Sequence, residues 1–200
     1  MVAVECTAVH GAPDDGERLL PRLSLISGPA GGGKSRWAEH LACRSGRPVV
    51  YLATGPLLPE DESWQRRLER HRRRRPADWD CREVQGDLAR ELRLLRAEQI
   101  ALVDSLGTWV AAWLETSPLH WEQACSELLV ALAATPAPLL LVCEEISWGV
   151  VPPTAVGGRF RERLAGLQQL IGRRCDRSWL VLQGRALDLH ALGVPVPGES

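Results

Sequence analysis

Residues Gly28-Pro29-Ala30-Gly31-Gly32-Gly33-Lys34-Ser35 form a complete G-x-x-x-x-G-K-[ST] loop, and Lys34 is the only lysine in the 200-residue chain. All other basic side chains of the Lys/Arg class are arginine, so a lysine retained here marks a place where arginine does not serve. A compact ammonium on a flexible stem reaches between two phosphate groups, whereas a planar guanidinium fork is wider and stiffer. The flanks agree with that reading. Leu23–Ser27 is a short apolar run suited to a buried strand, and Ser35–Ala42 has the pattern of a helix leaving the loop. Strand, glycine loop and helix together aim backbone N–H groups and the positive end of a helix dipole at phosphate. The chemistry implied is the binding of a nucleoside triphosphate.

Two further groups belong to such a site. Ile100-Ala101-Leu102-Val103 ends in Asp104, and a carboxylate at the end of an apolar strand can orient magnesium while Ser35 supplies a hydroxyl ligand. Asp104 is also suited to capping the helix expected to begin near Thr108, which would be a purely structural role. Leu139–Cys143 leads into Glu144-Glu145, so Glu145 competes for the metal-linked role. The second group is the segment from Glu60 to Arg75, EDESWQRRLERHRRRR. Acids open it, arginines close it and Pro76 stops it, the charge order that a helix dipole favours. Trp64, Leu68 and His71 recur at i, i+4, i+7, so His71 shares the apolar face rather than the arginine face. Arg70, Arg72, Arg74 and Arg75 surround it in sequence. Nearby positive charge disfavours imidazolium and keeps the ring nucleophilic, and the same arginines suit a polyphosphate. A neutral imidazole beside an anion-binding cluster is equipped to attack phosphorus.

The elements that must carry these groups follow from the apolar pattern. Strands are expected at 23–27, 49–52, weakly at 81–84, and at 100–103, 139–143 and 179–182. Helices are expected at 34–43, 60–75, 87–97, 108–115, 121–134 and 158–175, the last with Phe160, Leu164, Leu167 and Ile171 as its inward stripe. Near-continuous apolar strands alternating with helices imply an α/β chain with a mostly parallel sheet buried on both faces. With the phosphate loop, that gives a three-layer P-loop NTPase fold of the RecA-like kind. Residues 1–22 read as an extension, 23–190 as one nucleotide-binding catalytic domain, and 191–200 as a loose tail. An apolar content of 45% with net charge −1 fits one soluble domain and argues against a general nucleic-acid binder. Six dispersed cysteines, with no C-x-x-C pair, argue for reduced thiols rather than a zinc site or disulfide framework. No run of some 18 apolar residues is present, so no membrane segment is expected and the location expected is the cytoplasm.

The chain resembles the bifunctional adenosylcobinamide kinase/adenosylcobinamide-phosphate guanylyltransferase family of cobalamin biosynthesis. The resemblance spans Leu23 to about Leu187. It rests on GPAGGGKSRWAEHLA, YLATG (Tyr51–Gly55), RLERHRRRRPADW (Arg67–Trp79), ALVDSLGTWVAAWL (Ala101–Leu114), VCEEISWGVVPPTAVGGRFRERLAGLQQ (Val142–Gln169) and WLVLQG (Trp179–Gly184). The loop alone is shared widely. The His–Arg–Pro–Trp and S-W-G-V-V-P segments, in that order and spacing, are specific.

The resemblance implies that His71, in its H-x-x-x-R-P context, is a guanylylated nucleophile. It implies nucleotide contacts from Gly28, Pro29, Ala30, Gly31, Gly32, Gly33, Lys34 and Ser35, and from Ala53, Thr54 and Gly55. Arg72, Arg73, Arg74 and Arg75 beside the histidine match as well, as do the carboxylates Glu83 and Asp104. GTP and ATP are the implied nucleotides, with Mg²⁺ at Ser35 and Asp104. Adenosylcobinamide and its phosphate are the implied acceptors, and the implied assembly is a homotrimer. The chain also departs from the family pattern. Pro29 replaces a glycine and Gly31 an arginine in the loop; Glu144, Ser147 and Pro153 stand where Asn, Gly and Glu are favoured. Proline removes one backbone donor from the loop, so these changes bear more on the kinase half than on guanylyl transfer.

Overall fold

A computed structural model describes residues 21–56, 58–149 and 152–197. Most of the expected N-terminal extension, the end of the tail and the Val150-Val151 pair of the S-W-G-V-V-P segment lie outside the described residues. Seven strands and seven helices follow in the order β1 (Leu23–Gly28), α1 (Lys34–Arg44), β2 (Val49–Ala53), α2 (Glu62–Arg72), β3 (Asp80–Glu83), α3 (Leu88–Arg93), β4 (Ile100–Asp104), α4 (Leu106–Ala112), α5 (Pro118–Ala134), β5 (Leu139–Glu144), α6 (Ala155–Gly172), β6 (Arg177–Leu182), β7 (Arg185–Asp188) and α7 (Leu189–Leu192). They form one sheet in the order β3-β2-β4-β5-β1-β6-β7. All pairings are parallel except β6 with β7.

The continuous apolar runs are the buried strands. Every residue of β1 and β2 is buried, and β4 and β5 are buried up to a terminal carboxylate. Successive side chains point to opposite faces. Val50, Leu52, Ala101, Val103, Leu139 and Leu141 pack with Leu88, Trp109, Leu128 and Leu164 on the face covered by α3, α4, α5 and α6. Val49, Tyr51, Ile100, Leu102, Leu140 and Val142 pack with Ala38 and Ala42 of α1 on the other. This alternation decides which groups meet: Asp104 has the parity of Ile100 and Leu102, so it emerges on the α1 face. Tyr51 emerges there too, with Leu102 as its register partner in β4.

The helices differ from the sequence expectation mainly at their ends. The charged segment 60–75 is helical only over Glu62–Arg72, because Asp61 caps it by accepting a hydrogen bond from Trp64 N and a turn leads into Pro76. The helix expected at 87–97 spans only Leu88–Arg93. The hairpin strand β7 and the short α7 were not expected; β7 is only four residues long and partly exposed, too short and too polar to register as an apolar run.

The capping role open to Asp104 is filled by its neighbour. Ser105 is the N-cap of α4, its hydroxyl accepting from Thr108 N while Thr108 reciprocates toward Ser105 N. Ser105 Oγ also donates to Glu144 Oε1 at 2.6 Å, and Gly107 N donates to Glu144 Oε2 at 3.0 Å. Glu144, which replaces the Asn that the resemblance favours, therefore ties the end of β5 to the start of α4. Ser105→Ala removes the cap and one of these carboxylate contacts, so we expect a loss of about 1–2 kcal/mol, measured as a lower urea midpoint with unchanged slope.

Candidate active site

The C-terminal ends of parallel strands are where an open α/β sheet builds a crevice. The phosphate loop lies there, between β1 and α1. Gly31 and Gly33 take φ of +73° and +104°, conformations that favour glycine. Gly28 and Gly32 are needed for a second reason: a Cβ on them would lie 2.1 and 2.7 Å from the Val181 carbonyl oxygen of β6. Pro29 O accepts from Gly32 N, closing the turn, and also from Lys34 Nζ at 2.9 Å. Pro29 thus forfeits a donor yet supplies an acceptor that holds the lysine against the loop. No side chain caps the N-terminus of α1, and its first turn contains no acid. Its amides and Lys34 leave an anion-binding end.

Asp104 stands at the centre of what faces this loop. Its side chain is only 10% exposed, yet its pKa is held below the ordinary carboxylate value. Burial pushes the other way, and the donors from His71, Tyr51 and Ser35 outweigh it. Tyr51 Oη donates to Asp104 Oδ2 at 2.6 Å. His71 Nδ1 lies 3.5 Å from the same oxygen. The Tyr51 phenol is in turn held neutral, its pKa raised by burial first and then by the Asp104 charge. Ser35 and Asp104 together offer a hydroxyl and a carboxylate, a donor set that fits a magnesium ion, which usually keeps several waters and takes few protein ligands. Among the described residues no group of three or more His, Cys, Asp or Glu side chains is arranged for a metal.

His71 comes from the last turn of α2. Its face of the helix, with Trp64 and Leu68, lines a cleft together with Tyr51, Ala53, Gly55, Arg75, Asp104, Ser105 and Thr108. Trp64 Nε1 donates to Pro56 O at 2.8 Å, and the indole lies so close to Gly55 that a Cβ there would be 2.8 Å from it. With the proton on Nδ1, the imidazole can donate to Asp104 and keep the Nε2 lone pair for a substrate.

The four arginines after His71 do not act as one cluster. Arg72 pairs with Glu83 at 3.2 Å, and Arg73 pairs with Glu69 at 2.8 Å one turn back. Arg74 makes a two-nitrogen contact with Glu39 of α1, and its Nη2 stands 3.4 Å from His71 Nδ1. Arg75 lies flat over the Tyr51 ring, 3.4 Å from its centroid, faces the cleft, and has an Nε without a hydrogen-bond partner. The structure therefore separates what proximity in sequence had grouped. Positive charge reaches the imidazole from Arg74, and it is offset by Asp104.

Two other expected groups, Thr54 as a nucleotide contact and Glu145 as an alternative to Asp104 beside the metal, have their polar atoms engaged within the protein. Thr54 is buried, and its hydroxyl is occupied by Ser105 O, Ser105 N and Thr108 Oγ1. It fastens the end of β2 to that of β4, whereas its neighbours Ala53 and Gly55 line the cleft. Glu145 is turned to Ser147, through both its N–H and hydroxyl, and to Gln168 Nε2. Tyr51 and Glu39 are not among the site residues expected from the sequence. The signal for Tyr51 was its parity in β2 relative to Asp104; for Glu39 it was a lone acid between the apolar Ala38 and Leu41 of α1.

The sheet order, the glycine loop and the carboxylate at the end of β4 define a P-loop NTPase. The backbone is similar to that of a prototypical ATPase from the type III secretion system of pathogenic bacteria, with a TM-score of 0.54 and 11% identity, covering 88% of this chain and 60% of that one. A family model described as cobinamide kinase/cobinamide phosphate guanyltransferase matches residues 24–189, and the chain belongs to that family. It is 36% identical over 177 residues to the bifunctional adenosylcobalamin biosynthesis protein CobP of Pseudomonas aeruginosa, covering 88% of this chain and 97% of that protein. It is 30% identical to the bifunctional adenosylcobalamin biosynthesis protein CobU of Salmonella typhimurium, covering 81% and 96% respectively.

Tyr51→Phe deletes the shortest hydrogen bond to Asp104 while keeping the ring under Arg75. Hydrogen bonds to charged groups contribute roughly 1.5–3 kcal/mol. We expect the variant to lose stability in that range in urea denaturation, and an unchanged midpoint would show that the phenol does not support the carboxylate.

Proposed function

We propose that this chain is a bifunctional transferase that phosphorylates cobinamide, in its adenosylated form, and then transfers GMP from GTP to the product through His71. One observation carries the reading: a single largely buried carboxylate, Asp104, has its charge favoured by Ser35 of the phosphate loop and stands 3.5 Å from Nδ1 of His71. Phosphoryl chemistry at the loop and nucleophilic chemistry at the histidine would thus meet at one carboxylate.

In the kinase step, loop amides and Lys34 hold the triphosphate of ATP or GTP, and the aminopropanol hydroxyl of adenosylcobinamide attacks the γ-phosphorus. The γ-phosphorus–oxygen bond to the β-phosphate breaks, the nucleoside diphosphate leaves, and the hydroxyl proton passes to solvent. Lys34 and the amides neutralise the charge spread over the transferred group. Mg²⁺, held by Ser35 and Asp104, would supply further charge neutralisation on the phosphates.

In the second step His71 Nε2 attacks the α-phosphorus of GTP. A phosphorus–nitrogen bond forms, the bond to the β-phosphate breaks, and pyrophosphate leaves. Asp104 stabilises the imidazole through Nδ1, and Arg75, the one arginine of the four without an acid partner among the described residues, is suited to the departing charge. A phosphate oxygen of adenosylcobinamide phosphate then attacks the same phosphorus, and the phosphorus–nitrogen bond breaks. Adenosylcobinamide-GDP is released and His71 returns to its free form. Splitting the transfer through a covalent intermediate lets two bulky partners use one cleft in turn.

A cytoplasmic homotrimer is part of the same proposal. Among the described residues no helix is long and apolar enough to cross a membrane. Exposed Trp148, in the S-W-G segment, is a large apolar side chain suited to a subunit contact.

Incubation with Mg²⁺ and GTP labelled on the α-phosphate should label the protein without any corrinoid. The label should survive alkali and be lost in acid, as a phosphoramidate is, and γ-labelled GTP should leave none. His71→Ala should abolish labelling while phosphorylation of adenosylcobinamide persists; labelling that survives in this variant would overturn the choice of nucleophile. Lys34→Ala should abolish the phosphorylation with the fold intact. Kinase turnover in an unmodified protein that takes no label would instead identify a simple small-molecule kinase with a structural His71.

A further inference from the structure

Glu39 has no part in the chemistry above, yet it is a carboxylate only 3% exposed. It lies one turn beyond Ser35 on α1, so the two side chains share one face of the helix. Ser35 favours the charge of neighbouring Asp104, and the partner of Glu39 is Arg74, through Nε at 3.2 Å and Nη2 at 3.0 Å. Both partners converge on one atom: Asp104 Oδ2 stands 3.5 Å and Arg74 Nη2 3.4 Å from His71 Nδ1. The helix that begins at the phosphate loop is thus tied to the histidine's surroundings twice, beside Asp104 under the ring and through Arg74 to the turn that follows it.

Such a grip is needed because α2 has little else to fix it. None of its described side chains is buried, and Trp64 and Leu68 are only half-covered. A surface pair such as Arg66–Glu62 is open to water and contributes little. The Glu39–Arg74 pair differs: its acid is enclosed, its geometry is two-pronged, and loss of either member strands a charge.

We propose that Glu39 is a positioning residue for guanylyl transfer. By clamping Arg74 it holds the turn after α2, and with it the His71 ring, in register with the phosphate loop, so that the nucleophile and the bound triphosphate are set by the same helix. The inference rests on the reading of His71 as the nucleophile. It assigns Arg74 to holding the histidine rather than the nucleotide.

The test compares single-turnover labelling by α-labelled GTP with steady-state phosphorylation of adenosylcobinamide in the full chain. Glu39→Gln keeps the shape and removes the charge. Because misplacement of a reacting group by about 1 Å can cost a hundredfold, labelling should slow by about ten- to a hundredfold. The KM for nucleotide and the kinase kcat should stay within about twofold. Glu39→Asp, which keeps the charge on a shorter stem, should recover part of the labelling rate and serves if the Gln variant folds poorly. Arg74→Met should slow labelling similarly, and the double variant should be no slower than either single one. Labelling at the unaltered rate in Glu39→Gln, while the native protein labels normally, would overturn the inference alone. A parallel fall of labelling, phosphorylation and melting temperature would also overturn it, leaving Glu39 as a structural residue. Absence of label on the native protein would remove the reading of His71 and this inference with it.

Discussion

A carboxylate kept ionised with little contact with water must be surrounded by donors, and Asp104 is the place where this chain meets that requirement. An uncompensated buried charge is among the most costly features a fold can contain. Tyr51 from β2 and His71 from α2 contact it, and Ser35 from α1 favours its charge. Three elements distant in sequence are thereby drawn to one point. What satisfies the charge also assembles the site, because the donors are the loop hydroxyl and the candidate nucleophile themselves.

The sheet makes that meeting possible. β5 lies between β1 and β4, so the loop following β1 and the carboxylate ending β4 are separated by one strand, and α1 spans the gap above it. Strict alternation in the buried strands then sends Asp104 and Tyr51 to the α1 face while their neighbours fill the opposite core. The close approach of the loop to β6 sets a second limit. Gly28 and Gly32 pass so near the Val181 carbonyl that no side chain fits, which fixes the loop against the sheet before any phosphate is bound.

Charge organises α2 more than apolar packing does. Its arginines are distributed among Glu83, Glu69 and Glu39, leaving Arg75 over Tyr51 and open to the cleft. An arginine run that suggests a single polyanion site is thus resolved into pairs with separate tasks. The helix is secured at its start by Asp61 and by the Trp64 indole on Pro56, and at its end by Arg74 on Glu39.

The amino-acid sequence by itself determined the phosphate loop, the α/β class, the mostly parallel buried sheet and the family. These depend on local features: glycine spacing, apolar runs and a lysine at one position. It also put Trp64, Leu68 and His71 on one side of a helix, because helical periodicity is a property of neighbours. The tertiary structure decided the rest. Whether Asp104 capped a helix or faced the loop depended on which of two adjacent residues, Asp104 or Ser105, turned toward α4, a choice set by strand parity. Which arginine met which acid depended on contacts as far apart as residues 39 and 74. The resemblance implies a nucleotide contact from Thr54 in YLATG, but its hydroxyl is consumed between strand ends that the sequence does not show to be adjacent. Ion pairs and buried hydrogen bonds join residues distant along the chain, and only the packing of β2, β4, α1 and α2 against one another selects among the partners that the sequence leaves available.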